Sequence, residues 1–136
     1  MMGIMNSDPS INKIGHGEFG DIYRGPRGDF AVNFLLGNRG GEVHGAFVRE
    51  DTGEIDLLWG EDGSSGYGLA KIVEKHSEAI FQLAFSVENG KVVKTFPDRK
   101  IIIADHNGQK SVIDLRYKDT KKIWLVTSYI STDPIK

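Results

Sequence analysis

Apolar positions along this chain keep changing their period, and the changes mark out its elements. In "GYGLAKIVEKH", Leu69, Ile72, Val73 and His76 fall at i, i+3, i+4 and i+7, while Lys71, Glu74 and Lys75 take the other side. That spacing predicts a helix over 67–76 with one apolar face that ends in a histidine. "GDFAVNFLL", stopped by "GNRGG", predicts a helix from about Asp29 to Leu36. In "SEAIFQLAFSVENG", Ile80, Leu83, Ala84 and Val87 again have helical spacing before Asn89-Gly90 ends the run.

The period then shortens. "GEVHGAFVRE" and "EIDLLWG" read as two strands joined by "DTG", and they should pair antiparallel. "RKIIIADHNGQKSVIDLRY" is two apolar runs around Asn107-Gly108, which predicts an antiparallel hairpin of residues 99–105 and 109–117. "KKIWLVTSYIS" predicts a strand over 122–130, beside that hairpin. Strict alternation there puts Ile123, Leu125, Thr127 and Tyr129 on one face and Lys122, Trp124, Val126 and Ser128 on the other. Both faces are largely apolar near the middle, so this strand belongs inside the sheet.

These signals predict an α+β fold, helices packed on an antiparallel β-sheet of about four to six strands. The 136 residues suit one domain over 13–136, preceded by a flexible tail over 1–12. The tail sequence has neither a signal-peptide pattern nor a membrane span, and the expected location is cytoplasmic. With no cysteine, disulfides, thiolate metal sites and a cysteine nucleophile are excluded.

Charge adds one refinement. The net charge is −2, which speaks against coating nucleic acid by charge alone. Residues 1–90, however, hold seven Lys and Arg against fourteen Asp and Glu, whereas residues 91–136 hold ten against five. The C-terminal third can therefore present a basic surface, or the imbalance is ordinary fluctuation.

Candidate chemistry is sparse. Gly15, Gly17 and Gly20 spell G-x-G-x-x-G, but no kinase or dinucleotide-fold context follows, so they are read as turn residues. His16, His44, His76 and His106 share no metal-ligand spacing, and neither a metal nor a cofactor is expected. His76 stands out because the end of an apolar stripe coincides with the end of a helix. The helix dipole there favours an imidazolium, which suits either an acid in a cleft or a simple capping charge. Asp56 and Trp59 fall on opposite faces of their strand, and Trp59 reads as core.

In order and spacing, "FGDI", "GEVHGAFVREDTGEIDLLWG", "GYGLAKIVEKH" and "IWLVTSY" resemble the phage-associated barnase/EndoU/colicin/RelE-like nuclease family over about Phe19 to Tyr129. The resemblance implies helices on an antiparallel sheet and RNA cleavage without a metal. It carries a helix-end histidine onto His76 and a strand threonine onto Thr127, and gives Trp59 and Trp124 structural roles. Ser128-Tyr129 replaces a pair that is often alanine-phenylalanine in relatives, which makes the Tyr129 hydroxyl particular to this chain. RNA would be the substrate, and an immunity or antitoxin protein a partner.

Cleavage through the RNA 2′-hydroxyl needs a base, an acid and groups that stabilise the phosphorane charge. His76 is the candidate base or acid, Thr127 and Tyr129 are candidate donors, and Arg116 and Lys122 are candidate substrate-binding cations. The expected function is a metal-independent endoribonuclease, a toxin-like effector of a phage or mobile element. The alternative is a non-catalytic binding or structural domain with the same fold.

Overall fold

The computed structural model describes residues 11–97 and 100–131. In chain order these form β1 (Asn12–Gly17), β2 (Gly20–Arg24), α1 (Asp29–Asn38), β3 (Glu42–Arg49), β4 (Gly53–Leu58), α2 (Gly68–Lys75), a 3-10 turn (Ser77–Ala79), α3 (Leu83–Asn89), β5 (Lys91–Thr95), β6 (Lys100–Ala104), β7 (Gln109–Tyr117) and β8 (Thr120–Ile130). The strands make one sheet in the order β1-β2-β3-β4-β8-β7-β6-β5. The α+β class holds, but the sheet has eight strands rather than four to six. It is also mixed: β2 runs parallel to β3, and β4 parallel to β8. Two of the additional strands, β1 and β2, form a hairpin from the "IGHGEFGDIYRG" segment, turning at Glu18 and Phe19 between Gly17 and Gly20. Of the expected tail, Ile11 and Asn12 are described, and Asn12 opens β1.

The predicted hairpin forms as β6 and β7, with β8 beside it. The predicted β3–β4 pair is antiparallel, with Gly53 at φ +80° supplying its turn. On α2, Leu69 and Ile72 are fully buried against the sheet, and Val73 packs at the margin. They join Phe47, Ile55, Leu57, Ile103, Ile113 and Leu125 from the strands in one core. Arg49 ties β3 to α3: its buried guanidinium donates to the carbonyls of Val87 at 2.7 Å and Gly90 at 2.8 Å. Among the described residues, no helix is long and apolar enough to cross a membrane.

Two local expectations are corrected. The apolar stripe from Ile80 onward does not make one continuous helix: the Ala79 carbonyl accepts the Gln109 side-chain amide at 2.8 Å. The Leu83 amide donates to the Ile80 carbonyl at 3.2 Å, and α3 starts at Leu83. The alternation of β8 also breaks. Its pairing with β7 slips at Val126, since Ile113 pairs Leu125 while Val112 pairs Thr127. A residue inserted in this way exchanges the faces of everything after it. Ser128 is consequently buried, with its hydroxyl 2.9 Å from that of Ser111 and 3.0 Å from the Gln109 amide.

Candidate active site

The helices cover one face of the sheet. On the opposite face, β3, β4 and β8 bring four ionisable side chains together. Glu42 and His44 are two residues apart on β3 and so project the same way. Asp56 comes from β4. Lys122 comes from β8, two residues before Trp124, which pairs with Asp56 where the two strands run side by side.

The contacts are dense. His44 Nε2 lies 2.6 Å from Glu42 Oε2 and 3.9 Å from Asp56 Oδ2. The Lys122 ammonium donates to Asp56 Oδ2 at 2.7 Å and also to Glu42 Oε2, and lies 3.4 Å from His44 Nε2. The other Asp56 oxygen accepts the Gly45 amide at 2.9 Å. Gly45 itself stands at φ +68°, and a Cβ there would come within 3.0 Å of Glu54, so the kink that presents this amide requires glycine.

Burial leaves His44 as the accessible member. Its side chain is 27% exposed, against 10% for Glu42 and 17% for both Asp56 and Lys122. Burial pushes the Glu42 carboxyl up, but hydrogen bonds from His44 and Lys122 outweigh it and hold the group below its ordinary value. Burial likewise pushes the Lys122 ammonium down, and its bonds to Asp56 and Glu42 outweigh that, leaving it raised. The lysine is therefore a fixed cation and Glu42 a fixed anion near neutral pH. An ionised carboxylate only accepts hydrogen bonds, so His44 Nε2 must carry the proton in its bond to Glu42. In the neutral ring Nδ1 then has the free lone pair.

Glu42, His44 and Asp56 also have the donor types of a metal site, with one candidate ligand atom from each all within 4.8 Å of one another. The Lys122 ammonium bonds both carboxylates at that point. It supplies positive charge at the point where those ligand atoms converge.

Next to the cluster, the open face is sealed by rings. Trp124 packs edge-on against Tyr67 and Tyr117, with centroids 5.5 and 5.3 Å away, and Phe19 from the β1–β2 turn meets Tyr67 at 5.9 Å. Glu18 on the same turn accepts the Tyr117 hydroxyl at 2.6 Å. Trp124 is thus structural. On the other side of the cluster, the exposed guanidinium groups of Arg24 and Arg27 each pair with Glu54 at 3.1 Å.

The residues singled out from the sequence do not gather in one place. His76 ends α2, where its amide donates to Ile72 O at 2.8 Å. Its ring lies 5.7 Å from that of Tyr129, and its Nδ1 is 3.9 Å from Glu78. The Thr127 hydroxyl is buried, with no hydrogen-bond partner among the described residues. Arg116 is exposed and donates to Asp119 O at 3.3 Å in the β7–β8 turn. Lys122 belongs to the charged cluster, and seven residues of extended strand separate it from Tyr129, roughly 20 Å. Glu42 and His44 carry one sequence signal, since their E-x-H spacing on a predicted strand places both on one face, but nothing local marks the residues that meet them there.

Residues 46–135 match the model of the phage-Barnase-EndoU-ColicinE5/D-RelE like nuclease1 family. The chain belongs to that family. No curated protein and no solved structure matches it. The matched stretch begins within β3 and contains Asp56, His76, Arg116, Lys122, Thr127 and Tyr129, whereas Glu42 and His44 precede it. This is a phage-associated nuclease-like domain, and the open-face cluster adds to it residues that come from outside the matched stretch.

Proposed function

We propose that the protein is a metal-independent endoribonuclease, a toxin-like effector of a phage or mobile element, that cuts RNA by attack of its own 2′-hydroxyl. One observation carries this reading: an accessible imidazole, with its tautomer set by a buried carboxylate, beside a lysine held cationic. His44 Nδ1 takes the proton of the 2′-hydroxyl as that oxygen bonds to phosphorus. The imidazolium so formed returns the proton to the departing 5′-oxygen, giving a 2′,3′-cyclic phosphate and a 5′-hydroxyl. Lys122 and the exposed Arg24 offset the charge of the phosphorane. RNA is the substrate on this reading, and an immunity or antitoxin protein is the partner that would protect a cell holding the domain.

A second reading places the acid-base group at His76, with Tyr129 and Thr127 as donors. It is favoured by one fact, that all three lie within the family-matched residues. Purified protein incubated with mixed RNA in EDTA separates the two. His44→Ala should lower cleavage about 100- to 10,000-fold while His76→Ala stays within a few-fold of the parent. The reverse order would transfer the chemistry to His76. No cleavage by the parent protein would leave the fold a binding or structural role.

A further inference from the structure

Away from the charged cluster, where α3 meets the β6–β7 turn, two open cavities of about 500 and 380 Å³ lie on either side of one wall. The wall is the edge-to-face pair of Phe85 and His106, with centroids 6.2 Å apart. The larger cavity adds Phe81, Gln82, Asn107 and Asp29, and the smaller adds Lys91, Asn89, Val93, Ala104 and Asp105, whose Oδ1 accepts the backbone amides of Asn107 and Gln109. Phe81 is 85% exposed and Phe85 46%. Leaving a phenylalanine in water forgoes roughly 1.5–3 kcal/mol of burial, so two such rings at one cavity are a standing cost to the free protein.

We infer that these two cavities bind two successive unpaired nucleobases of an RNA strand, one on each side of the Phe85–His106 wall. The composition matches that ligand. Flat apolar rings offer stacking surfaces to any base, while Gln82, Asn107 and Asn89 each carry both a donor and an acceptor for base edges. Lys91 provides a cation for the phosphate between the bases. Two adjoining cavities with a common aromatic wall fit a repeating polymer better than a lone small molecule. The wall also lies beside the end of β8, since Ser131 N donates to Gly108 O at 3.0 Å in the β6–β7 turn. The inference rests on RNA as the ligand proposed above, and it assigns these cavities to strand binding rather than to bond cleavage.

The test uses the full chain and a fluorescein-labelled, mixed-sequence 2′-O-methyl oligoribonucleotide, which cannot be cut because it lacks the attacking hydroxyl. Fluorescence anisotropy should show binding by the parent protein, weakened about 5- to 150-fold by Phe81→Ala. Phe81→Trp should restore it. Phe81 is exposed, so neither change threatens the fold. Cleavage of a dinucleotide, whose single phosphodiester cannot lie at the charged cluster while its two bases fill the cavities, should be the same in all three proteins. Equal affinity in the parent protein and Phe81→Ala would overturn the inference, as would no binding of the oligonucleotide at all. Self-association that Phe81→Ala abolishes, without oligonucleotide binding, would assign the surface to a second copy of the chain. Binding lost in Phe81→Ala by a protein that cleaves no RNA would uphold this site while refuting the ribonuclease reading.

Discussion

His44 Nε2 lies 2.6 Å from the carboxylate of Glu42, two residues earlier on the same strand, and this contact determines which ring nitrogen can act as a base. Glutamine at position 42 would keep the size of the side chain, but its amide could donate to Nε2 and leave the proton on Nδ1. Glu42→Gln should therefore cut RNA cleavage by a factor of about 100 to 10,000 with little change in the fold. Cleavage at the parental rate by a folded Glu42→Gln protein would remove the carboxylate from the mechanism.

Lys122 occupies the point where three potential metal ligands converge, which leads to a gain-of-binding prediction. In Lys122→Ala, Glu42, His44 and Asp56 lose their cation and should take up a zinc ion that the parent protein does not bind. Titration calorimetry of both proteins decides it. Without zinc the variant should lose about 2–3 kcal/mol of stability, less than the 3–5 of a fully buried pair because the cluster is partly exposed. Equal, negligible zinc uptake by both proteins would show that the ligand geometry is unsuited to a metal.

The same two residues set opposite limits on stability. Folding lowers the Glu42 carboxyl below its ordinary 4.5, so its contribution is complete above that value and is lost as the pH falls through the lower folded one. Folding raises the Lys122 ammonium above its ordinary 10.5, so its contribution is complete below that value and is lost as the pH rises through the higher one. Melting temperature against pH should show a plateau with an acid and an alkaline fall. Glu42→Gln should flatten the acid fall, and Lys122→Met the alkaline one. Unchanged limbs in both variants would mean that other groups control them.

Gly60, between β4 and α2, stands at φ +74°, and a Cβ there would lie 2.1 Å from the Tyr67 carbonyl oxygen. The β4–α2 loop closes on itself at this crossing, where Glu61 and Tyr67 exchange backbone hydrogen bonds of 2.9 and 2.8 Å. Gly60→Ala should cost about 2–4 kcal/mol by adding backbone strain to a steric clash. A denaturant midpoint equal to that of the parent protein would contradict this close crossing.

The sequence alone determined the elements whose signal is local. Asn107-Gly108 between apolar runs specified the β6–β7 hairpin, and the i, i+3, i+4 spacing of Leu69, Ile72 and Val73 specified α2, because turn chemistry and periodicity act over a few residues. Three outcomes were decided only by the tertiary structure. The parallel joins of β2 to β3 and β4 to β8 depend on where the intervening helices dock. The slip at Val126, which buried Ser128, depends on pairing with β7. The meeting of Glu42, His44, Asp56 and Lys122 depends on β8 returning beside β4, 66 positions along the chain from Asp56 to Lys122. A single strand's alternation can say that two side chains share a face, as it does for Glu42 and His44. Which cation faces them is fixed only when a distant strand settles into register, since that choice follows from packing the whole core.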